Sequence, residues 1–192
     1  MIVEFTAKHC LEAIAKPQVE AFSKEPDNVT FFFGSFLCLD AFFGVHWAES
    51  GRNVESDYST DLAYRESFAE KHPIFRIFRD TATSMKHGKL VRPSRKQRVV
   101  TSVESLSTAT NILSANGVLG AESVIADREI YIYYDHNALT SFGSLVDSCD
   151  WVSASFCARK VLSIAQSALT GGNIAPAPLN TCRGLFGPQV KT

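Results

Sequence analysis

Arg76, Asp80, Thr83 and His87 recur at i, i+4, i+7 and i+11. On a helix that spacing stacks a guanidinium, a carboxylate, a hydroxyl and an imidazole along one face. Ile74, Phe78, Ala82 and Met85 fall on the opposite face, so one side is fit for burial and the other for polar work. An imidazole titrates near neutral pH and suits proton transfer. A guanidinium holds phosphate oxygens through its fork of N–H donors. Six cations, Lys86, Lys89, Arg92, Arg95, Lys96 and Arg98, follow with no acid among them. They suffice to neutralise several phosphates and to make binding salt-dependent. No aromatic residue is interleaved with them, so stacking on unpaired bases falls to Tyr131 and Tyr133.

The pattern Arg79-Asp80, then Lys86-His87 and Leu90, resembles the helix of HEPN-type proteins, helical domains of bacterial toxins and RNA-processing factors. It also resembles uncharacterised bacterial proteins with an RD and KH helix. The resemblance covers about one helix of the chain. It implies a metal-independent ribonuclease site in which arginine and histidine work at a phosphodiester whose own 2′-hydroxyl is the nucleophile, often across a homodimer interface. The candidate catalytic residues are then Arg76, Arg79, Asp80, Thr83 and His87. The six cations are the candidate nucleic-acid contacts, with RNA or another phosphate-bearing ligand as partner and neither metal nor cofactor required. Seven residues separate Arg79 from His87, one more than the family pattern. Eight helical steps leave the two side chains about 80° apart around the axis and roughly 12 Å apart along it. A site on this stretch therefore groups Asp80, Thr83 and His87, with an arginine supplied by the loop or a partner. A reading from another class stays open: a structural or protein-interaction module whose charged helix face is solvated, Arg76 and Asp80 pairing at i, i+4 for roughly 0.2–0.5 kcal/mol.

Other chemistries lack their usual signatures. The chain has no phosphate-binding G-x-x-x-x-G-K-[ST] loop, no G-x-G-x-x-G, no G-x-S-x-G and no H-E-x-x-H. His9, His46, His72, His87 and His136 are scattered, so a metal site would have to be assembled by the fold alone. The five cysteines are odd in number and form no C-x-x-C pair, which points to reduced thiols in a cytoplasmic protein. Nineteen Lys and Arg against twenty Asp and Glu give a net charge of −1. Any attraction to nucleic acid is local, and none to an anionic membrane is expected. The first residues, MIVEFTAKHC, lack the order of a secretory signal.

The elements that position these residues follow from local patterns. A chain of 192 residues is long enough to bury a core without staples, and its fourteen Phe make that core rich in rings. Residues 5–23 read as a first helix interrupted at Pro17. Asn28 caps a Phe-rich helix from Val29 to about Glu49. Its apolar run is about as long as a bilayer is thick, but Asp40 and His46 argue for a helix wrapped by neighbours, because a charge at bilayer depth costs about 2.5 kcal/mol or more. Ser59 or Thr60 caps a third helix that closes at His72-Pro73, and Pro73 opens the fourth, which ends at Gly88.

Beyond a basic loop the residues become β-branched and aromatic. Val99–Leu106, Ser123–Ala126 and Glu129–Tyr134 read as strands, the last two joined by a turn at Asp127-Arg128. Ile130, Ile132 and Tyr134 would face the core, with Tyr131 and Tyr133 on the second face. A long helix from Ser141 to about Leu169 ends at Gly171-Gly172. The expected architecture is α+β: a mostly helical N-terminal half, a small antiparallel sheet and a long C-terminal helix, in one domain over residues 1–172 with an extended tail over 173–192.

Overall fold

The computed structural model describes residues 5–50, 60–88, 98–100, 105–113, 124–140 and 151–172. Lys89, Arg92, Arg95 and Lys96, residues 101–104, 123 and 141–150, and the tail 173–192 lie outside the described residues. The architecture is α+β, with helices dominating and one small antiparallel sheet.

The first helical stretch changes geometry as it runs. It comprises α1 (Ala7–His9), a π-helical segment (Cys10–Ala15) and α2 (Lys16–Lys24). The Lys16 N–H donates to the Leu11 carbonyl five residues back. This widening sits immediately before Pro17, whose ring would otherwise crowd the carbonyl four residues earlier and whose nitrogen carries no donor. The proline therefore lies in the first turn of α2 and does not break the helix.

Asn28 Oδ1 accepts from the Thr30 and Phe31 amides at 3.0 and 3.3 Å, opening α3 (Val29–Ser50). Thr60 Oγ1 accepts from the Ala63 amide at 3.1 Å and opens α4 (Asp61–Lys71). Helix α5 (Pro73–His87) starts on its proline and stops at Gly88, whose φ of 71° suits glycine. These boundaries agree with the local signals in the sequence.

Helix α3 is the one described helix long and apolar enough to cross a membrane by length and composition. Here Phe32, Phe36, Leu39, Phe42 and Phe43 are buried. Phe36 meets Phe78 of α5 at 5.2 Å between ring centroids, and Phe43 meets Phe75 edge-on at 4.7 Å. Such pairs add about 0.5–1.5 kcal/mol beyond burial of their area.

The small antiparallel sheet is present as expected, with different strand bounds. Its strands are β1 (Leu106–Leu113), β2 (Val124–Tyr133) and β3 (Trp151–Ser153), in that order and antiparallel throughout. Leu106 pairs with Ile132 and Thr108 with Ile130, while Val152 pairs with Ile132 on the other side. Asp127-Arg128 is not a turn but part of one continuous ten-residue strand. Neither residue supplies the positive φ that a two-residue hairpin demands. Val99 and Val100 are buried, yet outside regular structure.

Ile130, Ile132 and Tyr134 are buried as expected, but so is Tyr131, which meets Trp151 edge-on at 5.2 Å. The short helix α6 (His136–Thr140) follows β2. The C-terminal helix α7 (Ala154–Thr170) begins later than its apolar pattern suggests, because Trp151–Ser153 is strand and Ser153 Oγ caps the Phe156 amide. Gly171, left-handed at φ 68°, ends it.

Candidate functional site

Helix α5 carries most of the candidate residues, and the first part of its polar stripe is buried. Arg76 and Asp80 have no exposed surface and Arg79 has 8 %. Burying charges costs several kcal/mol per ion unless partners are supplied, and the partners come from other elements. Glu66 of α4 receives Arg76 Nη2 on Oε1 at 2.7 Å and Arg79 Nη1 on Oε2. Asp80 Oδ1 receives Arg79 Nη2 at 3.1 Å, Arg79 Nε at 3.3 Å and Arg98 Nη1 at 3.3 Å. Asp80 Oδ2 receives the Val99 amide at 2.9 Å.

The result is a chain of charges, Arg76, Glu66, Arg79, Asp80 and Arg98, that ties α4, α5 and the 98–100 segment together. Burial alone would raise the pKa of Glu66. The charges of Arg79 and Arg76 and the hydrogen bonds from both guanidinia outweigh burial and lower it to about 2.

The remaining members of the stripe stand apart from this network. Thr83 Oγ1 turns back into its own helix and donates to the Arg79 carbonyl at 2.7 Å. His87 is exposed at the last residue of α5, about 10 Å along the axis from Asp80 at 1.5 Å per residue. Lys86, with 45 % of its side chain exposed, pairs with Asp40 of α3, which Arg65 of α4 also engages. Of the six cations of the run, Lys86 and Arg98 lie among the described residues, each held by a buried aspartate. The structure thus brings Arg79, Asp80 and Arg98 together, adds Arg76 through Glu66, and leaves Thr83 and His87 outside that cluster.

Glu66 and Asp40 are the residues that sequence reasoning passed over. Asp40 carried a signal, because a single acid within an apolar run requires a cation from elsewhere. Glu66 carried a weaker one: it lies on the helix joined to α5 by the short His72-Pro73 connection, at a position that packing alone could turn toward the arginines.

Tyr131, proposed as a stacking surface, is 1 % exposed, so a base could not lie on its ring without displacing Trp151. Tyr133 is partly exposed. Among the described residues no group of three or more His, Cys, Asp or Glu side chains is arranged to hold a metal ion. Two further histidines are held toward neutrality. Burial lowers the pKa of His46, opposed by Glu49, and the His46 Nδ1 lies 2.6 Å from the Tyr64 hydroxyl. Burial and then the charge of Lys71 lower that of His72.

No protein-family model matches this chain, and no curated protein or solved structure matches it either.

Proposed function

We propose that the chain binds a phosphate-bearing ligand, nucleic acid foremost, at the C-terminal end of α5. The contacts are Lys86, His87 and the acid-free run Lys89, Arg92, Arg95, Lys96 and Arg98. One observation carries this reading: the run is tethered at both ends to one helix, at Gly88 where α5 stops and at Arg98-Val99 where Asp80 grips the chain. Four further cations lie between two anchors about 12 Å apart by helical rise. The sequence between those anchors carries a local excess of positive charge although the net charge is −1. The three described cysteines, Cys10, Cys38 and Cys157, are free thiols, which fits a reducing, cytoplasmic setting.

Binding asks less of this arrangement than HEPN-type cleavage does. Cleavage needs an arginine at the scissile phosphate beside His87, whereas Arg79 is engaged by Glu66 and Asp80. The same engagement favours a second reading, a structural or interaction module whose arginines serve only the fold. Titration of the full chain with single-stranded RNA and with duplex DNA at low salt separates the two. The binding reading expects an affinity that falls as salt rises, by about 0.7 in logarithmic slope for each single-strand phosphate neutralised. Replacing Lys89, Arg92, Arg95 and Lys96 together by Ser should flatten that slope. Absence of binding by the unaltered protein to either polymer at low salt would leave the structural reading in possession.

A further inference from the structure

Arg98 differs from the other arginines of the network in how it is held. Arg76 donates to Glu66 at 2.7 Å, and Arg79 donates to the other oxygen of the same carboxylate. Arg98 reaches Asp80 at 3.3 Å through Nη1, longer than the 2.7–2.9 Å usual for a charge-assisted bond. Its Nε–H is shut away from solvent and has no acceptor among the described residues, although 26 % of the side chain is exposed. Asp80, by contrast, does not depend on Arg98. Arg79 and the Val99 amide occupy both carboxylate oxygens without it. Arg98 is therefore weakly engaged, with one donor unused, and its departure leaves no acid unpaired.

We infer that Arg98 is a phosphate ligand that exchanges partners: on binding, its guanidinium leaves Asp80 and offers Nε–H and an Nη–H side by side to two oxygens of one phosphate group. The inference rests on the phosphate-binding reading above and adds to it a residue that makes a directional contact. A guanidinium presents two parallel donors to phosphate, where an ammonium presents a point charge. Partner exchange also links the ligand to the fold, because the same side chain is drawn from the carboxylate that holds the returning chain. Phosphodiester oxygens of a nucleic acid and free inorganic phosphate offer this same chemistry.

The test follows the Arg98 Nε–H resonance by NMR in the full chain, during titration with single-stranded RNA and, separately, with inorganic phosphate. Affinities of Arg98→Lys for both ligands are measured in parallel. The expected result is a shift of the Nε–H signal that saturates with binding, and about tenfold weaker RNA binding by Arg98→Lys with an unchanged salt slope, since the charge is kept. A response to inorganic phosphate but not to RNA assigns the site to a small anion and overturns its nucleic-acid form. RNA binding in which the Nε–H signal does not move and Arg98→Lys binds like the parent overturns this inference while leaving the binding function standing. Failure of the parent to bind either ligand overturns both. The resonance is read on the unaltered protein, so the result does not depend on how well the variant folds.

Discussion

Asp80 accepts the backbone N–H of Val99 at 2.9 Å, so a side chain in the middle of α5 fixes the main chain 19 residues further on. The other side of the same residue is also held, since the Val99 carbonyl receives the Asp135 amide at 2.8 Å. Val99 thereby joins the helical half to the end of β2 through its backbone alone. Its side chain contributes separately, by burial in the core.

Asp80→Ala should consequently destabilise the protein strongly. It leaves Arg79 buried with one carboxylate fewer and strips the Val99 amide of its acceptor, and breaking a buried ion pair from one side costs about 3–5 kcal/mol. Asp80→Asn keeps an acceptor for the amide and should cost distinctly less. Urea denaturation of the two variants beside the parent measures the difference. Equal stability of Asp80→Ala and the parent would mean that the network contributes nothing to the fold.

Glu66 makes stability depend on acid. Its folded pKa of about 2 lies below the ordinary value of 4.5, so the ionised form is favoured in the folded state. The associated stability is present in full above the unfolded value and is lost as pH falls from about 4.5 toward 2. At about 1.4 kcal/mol per unit, the contribution is a few kcal/mol. Glu66→Gln should be less stable at neutral pH and should show a shallower loss of stability over that acid range. Chemical denaturation at a series of pH values reads both effects, and parallel curves for the two proteins would contradict the assignment.

His87 separates binding from chemistry. It is exposed at the end of α5, so His87→Ala should leave the melting temperature within about a degree, as for most surface changes. If the protein cleaves RNA, the same change should abolish cleavage, and EDTA should not, because imidazole supplies the proton transfer without a metal. Cleavage that survives His87→Ala, or that stops with EDTA, would remove the basis of the HEPN resemblance.

Helix α3 should behave as an internal helix. The Asp40 carboxylate is bound by Arg65 and Lys86, and four rings of the helix, Phe32, Phe36, Phe42 and Phe43, are buried among its neighbours or each other. The protein should be recovered without detergent as a compact species by size-exclusion chromatography. Partition of the intact folded chain into liposomes would overturn this reading.

What was legible in advance was mostly local, and the small antiparallel sheet was legible as a whole. Asn28, Thr60, Pro73, Gly88 and Gly171 act within a turn of their own positions, and each bounds a helix where its chemistry requires. The burial of Arg76 and Asp80 was not legible. Their spacing describes a polar stripe, whereas their environment is set by Glu66 and Val99, which tertiary packing brings in from other elements. The expected turn within the second strand failed for the same reason. Asp127-Arg128 looks like an interruption in isolation, but β1 pairs across it with a local register irregularity. Tyr131 shows the reverse case: alternation alone assigns it to the outer face, and Trp151 of the adjacent strand β3, separate in sequence, covers it.

The widened turn at Cys10–Ala15 makes the length of the first helical stretch a matter of phase. A π-helical turn is an α-helix that has absorbed one extra residue. Six residues at the wider pitch turn through nearly the same angle as about five at ordinary pitch, so the segments on either side keep the phase of one continuous helix. Ala7, whose amide docks on Glu49 Oε1 at 2.8 Å, and buried Cys10 and Leu11 thereby keep their seats. Deleting one residue there would restore ordinary pitch without changing that phase, and the carbonyl four residues before Pro17 would then meet its ring. The surplus residue is room for a proline inside a helix.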